Sequence, residues 1–123
     1  MSAPIGPYTP IVRAGPWLIT SGQLGLDQTP SSGPPHLVAG GAPAQLTQAL
    51  ANGEQLLRDS GATAADVVKT TVFVTDMDQY GAINEAYVRF FGDHRPARSV
   101  VGVACLPLGA AVEVELWAYR DPS

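Results

Sequence analysis

An arginine inside an apolar segment near the C-terminus is the residue of this sequence best suited to chemistry. Arg98 is followed by valine, glycine and alanine over most of residues 99–104. Burying an arginine is costly unless it is paired, and its planar fork of donors binds a carboxylate in bidentate fashion. The sequence therefore predicts either a site for a small carboxylate or an internal salt bridge to Glu113 or Glu115, and spacing alone leaves both open.

A glutamate on the final apolar segment offers a second functional group. Glu113 alternates with valines in residues 112–115. A partly buried carboxylate has its pKa raised by desolvation and then moves protons near neutral pH. The alternative is that Glu113 holds an oligomer together through hydrogen bonds. Tyr8, in a proline-flanked lead, is either a packing residue or a hydroxyl directed at the site.

Other chemistries lack support in the sequence. Cys105 has no histidine placed to activate it, and strand alternation predicts that it faces away from Arg98. His36 and His94 are interpreted as solvated or capping imidazoles. The sequence contains no Cys-x-x-Cys, His-Glu-x-x-His, phosphate-binding glycine loop or Gly-x-Ser-x-Gly motif. We therefore expect no metal and no cofactor.

Length and composition limit the possible partners and compartment. A chain of 123 residues predicts a single domain over 1–123. The net charge of −4 argues against binding a nucleic-acid backbone. One cysteine, no signal-peptide pattern and no apolar run long enough for a membrane predict a cytoplasmic protein that contacts no membrane.

Hydrophobic periodicity and turn signals predict the element order ββαβαββ, an α+β fold with a mixed sheet and two helices on one face. A Pro-, Ser- and Gly-rich loop occupies 27–41, with a possible short strand at Leu37 and Val38. The predicted strands are 11–14, 17–23, 66–75, 97–104 and 111–119, and the predicted helices run over 43–60 and from Asp76 or Asp78 to Gly92.

The final predicted strand has two unlike faces. Val112, Val114, Leu116 and Ala118 alternate with Glu113, Glu115, Trp117 and Tyr119. Two helices cover only one face of such a sheet. An aromatic pair beside two carboxylates is not an ordinary solvated surface, so we expect other subunits to cover the second face of a homo-oligomer.

Several segments, spread over nearly the whole chain, together match a known family pattern. The matching segments are Ile5-Gly6-Pro7-Tyr8, Thr20-Ser21-Gly22-Gln23, Lys69-Thr70-Thr71-Val72-Phe73-Val74, Asn84-Glu85-Ala86-Tyr87, Arg95-Pro96-Ala97-Arg98-Ser99 and Val112-Glu113-Val114-Glu115. The Lys-Thr-Thr strand and Pro-Ala-Arg-Ser are the most specific parts. With these segments the chain resembles the RidA/YjgF family of small trimeric enamine/imine deaminases, also described as endoribonuclease L-PSP or translation inhibitors.

The resemblance implies a chorismate-mutase-like trimer with sites in the clefts between subunits. It implies hydrolysis of 2-imino acids and 2-aminoacrylate-type enamines to 2-keto acids and ammonia, without a cofactor. In that reaction Arg98 binds the substrate carboxylate, Glu113 positions or activates water, and Tyr8 closes the cleft. The further substrate-binding residues are Ser21, Gly22, Asn84 and Val100.

The sequence also departs from the family pattern. Cys105 stands where many members have an arginine, and Val100 and Gly102 replace residues that are often larger or more polar. These changes affect substrate identity more than reaction class. Two other functions stay open at this point: a non-catalytic regulatory trimer that binds small carboxylates, and a ribonuclease or translation inhibitor, against which the acidic balance argues.

Overall fold

The computed structural model of the chain describes residues 6–29 and 33–122. Ile5 of the lead and residues 30–32 of the Pro-rich loop therefore lie outside the described residues. The helices are α1, Gly41–Asp59, and α2, Tyr80–Phe91. The strands are β1 Ile11–Ala14, β2 Trp17–Thr20, β3 Gln23–Leu24, β4 Val67–Val74, β5 Ala97–Gly102 and β6 Val112–Tyr119.

All of these strands belong to one mixed sheet. Its order is β1-β2-β6-β4-β5, and the short β3 pairs with β6 beyond the end of β2. Only β4 and β5 run parallel, as expected of two strands connected through a helix. The predicted α+β architecture and the hairpin formed by β1 and β2 are confirmed.

The core lies between the sheet and the two helices. The inward residues of β6, Val112, Val114, Leu116 and Ala118, are at most 1% exposed, and they pack with apolar residues of both helices. On the opposite face Trp117 and Tyr119 remain 39% and 47% exposed. The prediction that the helices cover one face is therefore confirmed. No helix in the described ranges is long and apolar enough to cross a membrane.

The predicted strand over 17–23 is wrong in one respect, because the chain leaves the sheet at Ser21 and Gly22. There the hydroxyl of Thr20 accepts a hydrogen bond from the backbone N–H of Leu116 at 3.0 Å. Ser21 turns to the N-terminal lead, donating from its N–H to the carbonyl of Pro10 and from its hydroxyl to that of Thr9. The interruption thus fastens the lead to the sheet.

Three smaller expectations also needed correction. Strand β5 ends at Gly102 rather than 104, so Cys105 lies exposed in the connection and strand alternation says nothing about its direction. Leu37 forms an isolated bridge with Leu26 rather than a strand. Helix α1 begins at Gly41 instead of 43, because Gly40, with a φ of 114°, adopts the left-handed conformation directly before it.

Candidate functional site

Arg98 is held in place by one face of helix α2. Its Nη1 donates to Oδ1 of Asn84 at 2.8 Å, and its Nη2 donates to the hydroxyl of Tyr80 at 3.1 Å. The guanidinium carbon lies 4.9 Å from the ring centre of Tyr87. Residues 80, 84 and 87 project from one side of a helix because they are spaced by four and three positions. Two hydrogen bonds and an aromatic ring therefore orient the guanidinium.

Tyr87 is itself held in place by a hydrogen bond to strand β4. Its hydroxyl shares a hydrogen bond of 2.9 Å with the hydroxyl of Thr70, which lies beside Arg98 in the parallel pairing of β4 and β5. Burial raises the pKa of Tyr87, so this hydroxyl stays protonated and neutral. The ring consequently provides a rigid, uncharged platform under the cation.

The charge of Arg98 has no acidic partner among the described residues. Within residues 6–29 and 33–122 no aspartate or glutamate forms an ion pair with it. The alternative of an internal salt bridge to Glu113 or Glu115 is therefore wrong. A half-buried guanidinium with neutral partners gains most from a carboxylate supplied by a ligand.

Glu113 lies on the opposite face of the sheet, beside the interruption between β2 and β3. A Cβ added to Gly22 would lie only 2.7 Å from both Cδ and Oε2 of the glutamate. Burial, and secondarily the charge of Glu115, raises the pKa of Glu113. In the described part of the chain its carboxylate has no hydrogen-bond partner. It is thus a proton acceptor that is free to engage water or a ligand.

Ser21 connects the Glu113 region to the N-terminal lead that carries Tyr8. Ser21 is adjacent to Gly22, and its bond to the carbonyl of Thr9 holds the segment that follows Tyr8. The Tyr8 side chain is exposed and lies near Gly6. It forms no hydrogen bond with Arg98 or Glu113 in the described structure, so its predicted role in closing the site stays a prediction.

Most of the predicted site residues, together with the two tyrosines beside Arg98, fall into two groups. The arginine group consists of Arg98, Asn84, Tyr80 and Tyr87, and the glutamate group consists of Glu113, Gly22 and Ser21. Strand β4 lies between β5, which carries Arg98, and β6, which carries Glu113, and two strand spacings correspond to roughly 10 Å across the sheet. The two groups also face opposite sides of that sheet. One copy of the chain therefore does not bring Arg98 and Glu113 together.

Val100 belongs to the side of the arginine group. It follows Arg98 by two residues on β5, pairs with Val72 and is partly buried against the core. Gly102 continues the same side, and a Cβ there would lie 3.4 Å from Cγ of Met77. Small apolar surfaces therefore extend from the guanidinium along β5. No observation tests whether Val100 binds substrate, so that role stays a prediction.

Sequence reasoning missed the contribution of the two tyrosines. Neither Tyr80 nor Tyr87 was singled out from the sequence, although both contact Arg98 from helix α2. The available signal was Asn84, a polar residue that lies inside the apolar stripe of that helix and requires a partner. No cluster of three or more histidine, cysteine, aspartate or glutamate side chains suited to a metal ion occurs in the described ranges.

The contact between Gly22 and Glu113 leads to a first prediction. Replacing Gly22 with alanine should displace the carboxylate while leaving the fold intact, because the Cβ collides with the movable end of a side chain. We expect kcat for the reaction proposed below to fall by about 10²-fold, the typical effect of a 1 Å misplacement.

The matched control for this variant is Gly81→Ala, since a Cβ at exposed Gly81 meets no atom within 4 Å. Circular dichroism and thermal melting verify folding, and steady-state kinetics measures kcat. If Gly22→Ala and Gly81→Ala were equally active, the position of the Glu113 carboxylate would be irrelevant to the reaction.

Comparison with known proteins gives a consistent result over nearly the full chain. The sequence profile of the family described as endoribonuclease L-PSP matches residues 1–120. The chain is 43% identical over 120 residues to a mouse protein named 2-iminobutanoate/2-iminopropanoate deaminase, covering 98% of this chain and 86% of the mouse protein.

Solved structures agree with this likeness. RidA from the Antarctic bacterium Psychrobacter is 36% identical and superposes with a TM-score of 0.87, covering 95% of this chain and 91% of that one. TdcF from E. coli, solved with bound serine, is 35% identical with a TM-score of 0.86, covering 96% and 91% of the two chains. The predicted likeness to YjgF-type structures is confirmed.

Proposed function

Because this chain belongs to the endoribonuclease L-PSP family, we propose that it is an imine deaminase acting on 2-imino acids such as 2-iminobutanoate and 2-iminopropanoate. Water adds to the C=N bond, and the products are a 2-keto acid and ammonia. The observation that carries this assignment is the half-buried guanidinium of Arg98, which neutral partners orient and which has no acidic partner in the described part of the chain. A 2-imino acid supplies the carboxylate that it lacks.

The geometry supports a simple acid–base mechanism. Arg98 binds the carboxylate and thereby orients the neighbouring C=N carbon. Glu113 takes a proton from water as the oxygen attacks that carbon, and it passes this proton to the imine nitrogen. In the resulting 2-amino-2-hydroxy acid the regenerated carboxylate takes the hydroxyl proton and transfers it to the amino nitrogen, so the C–N bond breaks, ammonia leaves and the C=O bond of the 2-keto acid forms. The imine carbon is already electrophilic, so orientation and local proton transfer account for the acceleration, and no metal or cofactor is required.

We place this reaction in a cleft between two copies of the chain within a homotrimer. The separation of the arginine and glutamate groups on opposite faces of the sheet supports a shared site, in which one copy supplies Arg98 and its neighbour supplies Glu113. The exposed aromatic side chains of Trp117 and Tyr119 support burial of the open face in such an assembly. We place the protein in the cytoplasm, where its exposed Cys105 thiol stays reduced.

A shared site leads to a second prediction, based on mixing two inactive variants. Arg98→Ala and Glu113→Gln trimers are dissociated, mixed in equal amounts and reassembled. Every hybrid trimer then contains one cleft with both wild-type residues, so activity should recover to about a quarter of the wild-type value. Analytical ultracentrifugation confirms reassembly. Reassembled hybrids without recovered activity would mean that each site lies within a single copy.

The deaminase assignment is tested by generating 2-iminobutanoate and 2-iminopropanoate in situ with an amino-acid oxidase. Keto-acid formation is followed with and without the protein, at constant oxidase activity. Acceleration by the wild type supports the assignment. Binding of 2-oxobutanoate without acceleration would instead indicate the non-catalytic carboxylate-binding protein. RNA cleavage that depends on Arg98 and Glu113 would indicate the ribonuclease.

A further inference from the structure

Two hydrogen bonds occupy part of the N–H donors of the Arg98 guanidinium. A guanidinium has five N–H groups, two on each terminal nitrogen and one on Nε. Asn84 accepts one from Nη1, and Tyr80 accepts one from Nη2. One N–H therefore remains on each terminal nitrogen, together with that of Nε. These three remaining donors are the ones with which Arg98 would bind a carboxylate.

The two acceptors restrain the guanidinium at both ends. A single bond to Asn84 would leave the plane of the group free to pivot about that contact. The Tyr80 hydroxyl fixes the second end, and the ring of Tyr87 supports the plane from below. Both oxygens come from one rigid helix, so the orientation is established before any ligand arrives. Prior orientation reduces the entropic cost of binding.

Tyr80 differs from the buried tyrosine in its surroundings. Its side chain is 41% exposed, whereas Tyr87 is 4% exposed and has its hydroxyl bonded to Thr70. Packing alone therefore does not account for a tyrosine at position 80. The bond to Arg98 is the only hydrogen bond of the Tyr80 side chain in the described structure.

We propose that Tyr80 is a positioning residue of the carboxylate site, which acts by holding Nη2 of Arg98 so that the remaining donors form a fixed fork for a 2-imino acid. This inference rests on the proposed function for the identity of the ligand. By holding the fork, Tyr80 makes the site selective for a planar carboxylate over an uncharged group of similar size. Only the carboxylate accepts hydrogen bonds from both arms of the fork.

The test is Tyr80→Phe, which removes the hydroxyl and keeps the ring. KM for 2-iminobutanoate and the dissociation constant of 2-oxobutanoate should both rise about three- to tenfold, as for loss of a partly exposed hydrogen bond to a charged group. The value of kcat should change less than twofold, since the carboxylate is bound equally in the ground and transition states. The preference for 2-oxobutanoate over its methyl ester should fall in parallel.

A control and a second background separate positioning from general structure. Thr47→Val removes the hydroxyl of an exposed residue of helix α1, which bonds only to the carbonyl of Pro43 in the same helix, and should leave the dissociation constant unchanged. In an Arg98→Lys background Tyr80→Phe should have no effect, because an ammonium group has no fork to orient. An equal loss in both backgrounds would overturn the proposal, as would an unchanged affinity in the single variant.

The outcomes also distinguish this proposal from the proposed function. If the wild type binds 2-oxobutanoate but forms no keto acid, the deaminase assignment fails, and calorimetric titration of Tyr80→Phe still decides the role of the tyrosine. If the wild type is active and Tyr80→Phe binds normally, only the role of Tyr80 is overturned. A wild-type protein that neither binds nor reacts overturns both.

Discussion

Replacing Arg98 with alanine is expected to lower kcat/KM for 2-iminobutanoate by about a hundredfold or more, mostly through KM. Removing one partner of a desolvated charge pair typically has this effect. The structure explains why no other group compensates: the partners of Arg98 are an amide, a hydroxyl and an aromatic ring, and none of them carries a positive charge. Keto-acid formation over a range of substrate concentrations measures the loss.

Two further variants show whether the loss of kcat/KM is due to the guanidinium of Arg98 itself. Arg98→Lys keeps the charge without the planar fork, and it should fall between wild type and alanine. Arg58→Ala removes an exposed arginine of helix α1 that pairs with Glu54, and it should leave both kinetic parameters unchanged. If Arg98→Ala retained wild-type kcat/KM, the carboxylate would have to bind elsewhere.

Glu113→Gln is expected to have the second large effect, lowering kcat by about 10²- to 10⁴-fold with little change in KM. The amide preserves the size and shape of the side chain but does not accept the proton of the attacking water. In the wild type, kcat/KM should decline on the acid side with an apparent pKa above that of an ordinary glutamate, because burial and Glu115 raise the pKa of Glu113. A Glu113→Gln enzyme with wild-type kcat would exclude Glu113 as the base.

Glu113→Gln should lower activity but raise the stability of the folded chain at neutral pH. A carboxyl whose pKa is raised by folding costs no stability at low pH, where it is protonated in both the folded and unfolded states. The cost appears as the pH rises from the unfolded pKa through the raised folded pKa, because the ionised form is disfavoured in the folded chain. Glu113→Gln should therefore unfold at higher urea than the wild type at neutral pH, and the difference should vanish at about pH 3.

The elements with the strongest local patterns were predictable from the sequence. The β-branched run of β4 and the two-faced alternation of β6 were both identified, as were the two amphipathic helices. In each case one face of the element is buried, so the hydrophobic period reports the structure directly. Their ends shifted by a few residues, since terminal turns depend on local backbone conformation such as that of Gly40.

The interruption at Ser21 and Gly22 was not predictable from local pattern. Alternation continues through these residues, and only the tertiary contacts of Thr20 with Leu116 and of Ser21 with Thr9 show that the chain leaves the sheet. The family resemblance did associate this segment with the site. Only the structure shows its physical role, which is to make room for the Glu113 carboxylate.

For the site, residue chemistry predicted the important groups but not their arrangement. An arginine in an apolar strand and a glutamate on the final strand both stood out by residue type. Their separation depends on the strand order, in which β6 lies between β2 and β4. Strand order arises from the packing of the whole chain, so no short stretch of sequence encodes it. The family resemblance pointed to Asn84, but the contacts of Tyr80 and Tyr87 with Arg98 depend on how helix α2 packs beside β5 and were not predicted.

The central position of β6 has a consequence for the speed of folding. β6 pairs with β2 through residues as distant in the sequence as Trp17 and Tyr119, and it also pairs with β4. Without β6, the β1–β2 hairpin and the β4–β5 pair have no strand between them, and each keeps an unpaired edge. The sheet is joined only when nearly the whole chain closes into one loop, so we expect folding to be slow for a domain of this size.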